Sequence, residues 1–178
     1  MERDPEPPKP DARFLGFLVA VYVIAFAGYL GLRRGLTWYA VLIHPNGALP
    51  AWAFGPLWVA LCILLGGVAW RLWSAPASPT RTWALGLFGT QLVLHAGWLW
   101  LLFGFQKPVP ALYLAVLCGL TAIAAYLVGH RVRGVTAFLL APYLVWLCYG
   151  AFLTYGLWSL NFRAGAGVSP IETVESQS

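Results

Sequence analysis

The middle of this sequence has no carboxylates: between Ala12 and Ile171 there is neither an aspartate nor a glutamate. All six acidic residues lie near the two ends of the chain, at Glu2, Asp4, Glu6, Asp11, Glu172 and Glu175. This distribution excludes catalysis by a pair of carboxylates within the central segment. Because a carboxylate near the centre of a bilayer is costly, the absence also fits a chain that lies in lipid.

Cysteine and charge are scarce as well. The three cysteines, Cys62, Cys118 and Cys148, fall in three different apolar segments without metal-ligand spacing, so we interpret them as small buried apolar residues and predict no metal site. Only 10% of the residues are charged, and the net charge is +5. Since the basic residues flank apolar segments, they indicate anchoring to membrane lipid and no binding of nucleic acid.

The remaining composition is that of a membrane protein, with 60% hydrophobic residues. Five apolar segments reach the length of about 20 residues that a helix needs to cross a bilayer. They lie near Phe14–Leu32, Ala51–Trp73, Trp83–Phe105, Val109–Val128 and Val135–Leu160. The segments lack a two-residue alternation, which argues against a barrel. We therefore predict an all-α integral membrane protein, a bundle of five transmembrane helices over residues 14–161, with disordered tails at 1–13 and 162–178.

The basic residues also predict an orientation. The side of the N-terminus carries Arg3, Lys9, Arg13, Arg71, Arg81, Arg131 and Arg133, whereas the other side carries Arg33, Arg34, Lys107 and Arg163. By the positive-inside rule, the N-terminus lies inside. The first loop, which contains "HPNGALP", then lies outside.

Polar and aromatic residues share faces of the predicted helices. In the third span, Gln91, His95 and Trp98 are four and three residues apart. Polar groups at this depth mark a functional site by default, although hydrogen bonding between helices is an alternative explanation. In the fifth span, Trp146, Gly150 and Thr154 lie four apart, and the missing side chain of Gly150 predicts close approach of a flat molecule or of another helix.

Motifs in every part of the bundle resemble the TspO family, the tryptophan-rich sensory proteins whose animal counterpart is the translocator protein. They are "WYAVLIHP" (38–45), "PAWAFGPLW" (50–58), "QLVLHAGW" (91–98), "LFG" (102–104) and the segment from "PYLVW" to "LWSLN" (142–161). The resemblance covers roughly residues 14–161.

The resemblance implies a five-helix bundle with a ligand pocket beneath the first loop, in a protein of the bacterial cytoplasmic membrane that forms a homodimer. Its ligands would be porphyrin or haem, a sterol or an isoprenoid. By motif position, the pocket would comprise Phe54, Leu57, Trp58, Gln91, His95, Trp98, Phe103, Trp146, Gly150, Leu153 and Thr154. The loop above it would contribute Trp38, His44, Pro45 and Pro50 as a lid.

The sequence departs from the family pattern at several of these places. A tryptophan usual in the first loop is Gly47, and an acidic residue usual in the fourth span is Leu114. His95 replaces an asparagine and is a candidate axial ligand for haem iron. Gly150 replaces an alanine and predicts a roomier pocket, and Thr154 replaces a second asparagine.

Three functions remain open at this point. The first is a receptor or binding protein for a flat hydrophobic ligand, with a tetrapyrrole as the leading class. The second is a membrane enzyme that transforms a porphyrin, terpenoid or other lipid-soluble substrate, with His95, Trp98 and Trp146 as candidate catalytic residues. The third is a helix-packing protein with a vestigial pocket, in which small residues such as Ala111, Ala115 and Gly119 seat another helix.

Overall fold

The computed structural model describes residues 12–163, without the side chains of residues 51 and 135–137. These residues form six α-helices and no strand: α1 (Ala12–Arg34), α2 (Leu36–Ala40), α3 (Ala51–Trp73), α4 (Pro79–Leu99), α5 (Pro108–Val132) and α6 (Gly134–Asn161). A π-helical turn, Trp100–Gly104, extends α4. The five long helices are apolar enough and long enough to cross a membrane, which confirms the predicted class.

The helix boundaries differ from the predicted ones where local chemistry decides them. α4 begins at Pro79, four residues before the predicted start, because the hydroxyl of Ser78 accepts a hydrogen bond from the backbone N–H of Arg81 (3.2 Å) and proline suits the first helical position. Ala12 and Arg13 belong to α1 instead of a tail. The rest of both predicted tails lies outside the described residues, apart from Phe162 and Arg163.

Glycines on one side of α1 allow it to pack closely against α4. A Cβ atom at Gly28 would lie 2.9 Å from Cδ1 of Leu99, and one at Gly31 would lie 2.9 Å from the indole of Trp100. The same indole donates a hydrogen bond from Nε1 to the carbonyl of Ala27 (2.8 Å). The C-terminal half of α1 is therefore held against α4 and its π-helical turn.

The small residues of α5 are used inside the bundle. Ala111 and Ala115 are buried in a hydrophobic cluster with residues of α4 and α6. By contrast, Gly86 and Thr90 on α4, a pair of small residues with the same spacing, are exposed.

The predicted burial of the cysteines is confirmed for two of them and wrong for the third. Cys62 and Cys118 are buried, but Cys148 is exposed. It lies on the outer face of α6 with Val145, Phe152 and Tyr155, all exposed and spaced as one side of a helix. A thiol is apolar enough to face lipid there.

Candidate ligand cavity

A cavity of about 520 Å³ lies between α1, α2, α3, α4 and α6. Its walls are formed mostly by aromatic and branched aliphatic side chains: Tyr22, Phe26, Tyr29, Leu32, Leu36, Tyr39, Trp52, Phe54, Gly55, Trp58, Val59, Trp98, Leu99, Phe103, Trp146 and Leu153. None of these residues carries a formal charge. The volume falls in the range of roughly 300–1,000 Å³ that is typical of small-molecule sites.

Aromatic rings from different helices meet at the inner end of this cavity. The rings of Phe54 and Trp146 are 5.9 Å apart in an edge-to-face arrangement, and those of Trp58 and Trp146 are 6.4 Å apart. Nearer the loop, Tyr39 and Phe103 pack with ring centroids 5.6 Å apart. These separations are those of favourable aromatic pairs, so the rings form a packed wall instead of independent side chains.

Trp98 is held in place by a hydrogen bond to α6. Its Nε1 donates to the hydroxyl of Thr154 (3.0 Å), and this hydroxyl donates to the carbonyl of Gly150 (2.7 Å). The indole lies over Gly150, where a Cβ atom would be 3.0 Å from Cη2 of Trp98. The expectation that Gly150 enlarges the pocket is therefore wrong, because the Trp98 ring fills the space that glycine leaves.

His95 lies behind the aromatic wall. Its ring is 5.1 Å from that of Trp58 and 5.4 Å from that of Trp98, both of which line the cavity, whereas His95 itself does not. Nδ1 of His95 is 3.0 Å from the hydroxyl of Tyr143, and Nε2 has no hydrogen-bond partner among the described residues. Two voids of about 10 and 20 Å³ adjoin the imidazole.

The position of His95 determines whether it could ligate the iron of a haem in the cavity. The imidazole of His95 does not line the cavity, and the indoles of Trp58 and Trp98, which do line it, pack against this imidazole. The arrangement does not fit axial ligation by His95. In addition, no group of three or more histidine, cysteine or acidic residues that could hold a metal ion occurs within residues 12–163.

The structure brings together six of the predicted pocket residues and separates the others. The wall includes Phe54, Trp58, Trp98, Phe103, Trp146 and Leu153. His95 and Gly150 line a small void behind it. Gln91 is fully buried without lining the cavity, and both of its side-chain polar atoms lack a partner among the described residues. Thr154 is buried behind Trp98, and Leu57 faces outward.

The loop between α2 and α3, residues 41–50 (the lid loop), is attached to α6. Asn161 accepts a hydrogen bond from the backbone N–H of Ile43 and donates one to its carbonyl, both at 2.9 Å. The N–H of Leu49 donates to the hydroxyl of Tyr149 (2.8 Å). Pro45 packs on Gly156, where a Cβ atom would approach it to 2.7 Å.

The lid residues expected from the sequence occupy different positions around this loop. Pro50 precedes α3, and Pro45 packs on α6 as described. The ring of His44 packs edge-to-face on Tyr39 at 4.4 Å, and Trp38 packs against Phe162 at 6.2 Å. None of these four lines the cavity itself.

Tyr39 is a wall residue that the sequence reading did not identify. It lies in the short helix α2, and its buried hydroxyl has no partner among the described residues. Burial, with a smaller contribution from Tyr149, raises the pKa of Tyr39 to about 12. The hydroxyl therefore remains a neutral donor at physiological pH.

The α1 wall was also missed. Tyr22, Phe26 and Tyr29 are four and three residues apart and all line the cavity. This spacing was visible in the sequence and would have shown a single aromatic face on the first span. Its meaning as a wall depends on how α1 is placed, which the spacing alone does not determine.

Comparison with known proteins agrees with this architecture. The sequence model of the TspO/MBR family matches residues 15–159. The chain is 34% identical to the translocator protein of Sus scrofa over 156 residues, which cover 84% of this chain and 92% of that protein. It is 30% identical to the tryptophan-rich protein TspO of Chlorobaculum tepidum (78% and 89% covered) and 28% identical to protein CrtK of Rhodobacter capsulatus (81% and 92%).

Proposed function

This chain belongs to the TspO/MBR family of membrane proteins, and we propose that within it the chain acts as a receptor for a flat hydrophobic ligand, a tetrapyrrole such as protoporphyrin. The observation that carries the proposal is the uncharged cavity with rings on several sides. Tryptophan, tyrosine and phenylalanine offer large apolar faces against which a planar ligand can stack.

The shape of the wall favours a planar ligand over a flexible hydrocarbon. Trp58 and Trp146 pack at one end of the cavity, and Tyr39 and Phe103 pack nearer the loop, so flat ring surfaces lie at both ends. A sterol or a linear isoprenoid offers a less extended flat surface for stacking on these rings.

Quenching of tryptophan fluorescence by protoporphyrin tests this proposal. The protein in nanodiscs is titrated with protoporphyrin, with a sterol and a linear isoprenoid as competitors. We expect saturable quenching that Trp146→Leu weakens by about tenfold in Kd, because that indole contributes stacking area to the cavity wall. Trp83→Phe is the matched control, since Trp83 is exposed on α4 and lies outside the cavity.

Two results would contradict the proposal. One is the absence of saturable quenching in the wild-type protein. The other is an equal loss of affinity in Trp83→Phe and Trp146→Leu, which would place the binding on the outer surface.

Turnover is the alternative that the same experiment examines. Product analysis in light and in darkness, with Trp98→Phe and His95→Asn beside the wild type, distinguishes a receptor from an enzyme. The placement of His95 behind Trp58 and Trp98 favours binding over acid–base catalysis at a bound ligand. A new product that depends on His95 would reverse this assignment.

Orientation and assembly complete the proposal. With seven basic residues against four on the two sides of the bundle, the N-terminus lies in the cytoplasm of a bacterial host. The chain forms a homodimer. Reporter fusions at the two ends and light scattering of the purified protein test these statements separately.

A further inference from the structure

The ligand cavity reaches the outer surface of the bundle between α1 and α3. Tyr22, Phe26 and Tyr29 on α1 line the cavity and are at the same time exposed, Tyr22 by 55%. Facing them on α3, Trp52 and Val59 line the cavity and are exposed as well. Residues that line the cavity and are also exposed mark an opening of the cavity to the outer surface of the bundle.

The packing of α1 explains why the opening lies there. Near its N-terminal end, α1 contacts α3 so closely that a Cβ atom at Gly66 would overlap Leu18. In its C-terminal half, Gly28 and Gly31 hold the helix against α4 and the π-helical turn. α1 therefore packs on α3 at one end and on α4 at the other, which leaves a gap beside the first turns of α3.

This opening lies at the depth of the lipid chains. Tyr22 is twelve residues before Arg34, the last residue of α1, or about 18 Å along a helix. The stretch from Tyr22 to Tyr29 thus spans much of one leaflet. Since both edges are apolar or aromatic, the opening faces hydrocarbon and not water.

The lid loop, which follows α2, is firmly attached to α6. Asn161 and Tyr149 attach the lid loop to α6 through hydrogen bonds at 2.8–2.9 Å, and Pro45 packs on Gly156. A route beneath the lid loop would require these contacts to break, whereas a route between α1 and α3 would not.

We infer that the opening between α1 and α3 is a lateral entrance through which the cavity takes a flat amphiphile dissolved in the outer part of the bilayer. This inference rests on the proposed function, because it assumes a hydrophobic ligand. It adds the route by which the ligand arrives: the ligand partitions into lipid before it binds.

Gly55 offers a direct way to obstruct the entrance. It lines the cavity and is exposed, and a Cβ atom built on it has no neighbour within 4 Å, so a larger side chain can be introduced without disturbing the fold. Gly86 on α4 is the matched control: it is also exposed and free of neighbours within 4 Å, but it lies outside the cavity.

The first experiment measures the rate of association of protoporphyrin with the reconstituted protein by stopped-flow quenching. If protoporphyrin arrives through the bilayer, its rate of association should depend on the porphyrin-to-lipid ratio. At a fixed ratio, this rate should therefore stay constant when the total vesicle concentration changes. Gly55→Phe should slow association by about tenfold or more, whereas Gly86→Phe should not. Asn161→Ala, which releases the lid loop, should leave the rate within about twofold of wild type. An unchanged rate in Gly55→Phe, or a faster one in Asn161→Ala, would overturn the inference in favour of the aqueous route.

The second experiment needs no ligand. The protein is reconstituted with a phospholipid that carries a photoreactive diazirine on its acyl chain, and the labelled residues are mapped after illumination. We expect labels inside the cavity, at Trp58 or Leu153, that Gly55→Phe removes while labels on the outer residue Val145 persist. Labels confined to outer faces would refute the entrance. Internal labels without porphyrin binding would support the entrance and refute only the proposed ligand.

Discussion

The hydrogen bond between Trp98 and Thr154 leads to the sharpest prediction, because the chain contains a matched control. Thr154→Val keeps the shape of the side chain and removes the acceptor for Nε1 of Trp98 (3.0 Å), as well as the bond to the carbonyl of Gly150. Thr121 also donates to the carbonyl four residues before it, that of Leu117 at 2.8 Å, but this hydrogen bond is exposed and Thr121 is only half-buried. Thr121→Val therefore measures the loss of the local bond alone.

The expected difference between the two substitutions follows from the burial of the site. Thr154 is fully buried and Trp98 nearly so, which leaves the indole donor unpaired in Thr154→Val. An unpaired buried donor costs about 1–3 kcal/mol, while hydrogen bonds between membrane helices average about 0.6 kcal/mol and reach about 1.7. We expect Thr154→Val to lower the free energy of unfolding by about 1 kcal/mol more than Thr121→Val does.

A double-mutant cycle with Trp98→Phe isolates the interaction itself. Unfolding is followed by circular dichroism while detergent micelles are enriched in a denaturing surfactant, for the wild type, both single variants and the double variant. The coupling between positions 98 and 154 should be about 0.6–1.7 kcal/mol. Equal losses of unfolding free energy in the two threonine variants, together with a coupling energy between positions 98 and 154 that is indistinguishable from zero, would refute the structural role of this bond.

Three other predictions concern the lid, the short helix α2 and the buried histidine. Asn161→Ala removes both hydrogen bonds to Ile43, so hydrogen exchange of the Ile43 amide should accelerate by about tenfold or more; an unchanged rate would mean that other contacts hold the loop. Burial raises the pKa of Tyr39 to about 12, above the unfolded value of about 10, so the folded state loses stability as the pH rises from 10 to 12. The difference in phenolate absorbance between the wild type and Tyr39→Phe should show an ionisation near pH 12. An ionisation near pH 10 would contradict the burial of this hydroxyl. Because His95 lies behind the indoles of the wall, the Soret band of added haem should be the same in wild type and His95→Asn, and a shifted band would show that His95 reaches the iron.

The fold was predictable from the sequence to a large extent, because the cost of burying polar backbone in lipid allows few solutions. Five apolar segments without a carboxylate predict five membrane helices, and these are present. The inward direction of Gln91, His95 and Trp98 was predictable for the same reason, since polar groups avoid lipid.

The wall of the cavity was predictable only in part. The spacing of residues along a helix predicts which of them share a face, but not which of them reach the cavity. Phe54 and Trp58 line the cavity, but Leu57, chosen from the same motif, faces outward. His95 shares the face of Trp98 and still does not line the cavity, because the indoles of Trp58 and Trp98 pack against its ring. A missing side chain at Gly150 suggested free space, yet a neighbouring ring fills it.

Two elements gave no sequence signal that we recognised. The helix α2 has five residues, too few for apolar periodicity to show. The π-helical turn at Trp100–Gly104 consists of residues that would also fit an ordinary helix, and it packs closely against Gly31 of α1 and against Gly35, which follows α1.

That turn has a consequence for how the protein can change by insertion and deletion. A π-helical turn holds one residue more than the α-helical turn that it replaces, and such turns are frequent at functional sites. Loss of one residue between Trp100 and Gly104 would therefore return this segment to ordinary α-helical turns and leave the residues on either side of it close to their present directions. The change would fall on the side chains inside the turn, which include Phe103 of the cavity wall. The shape of this end of the cavity therefore depends on the number of residues in the segment as well as on their identities.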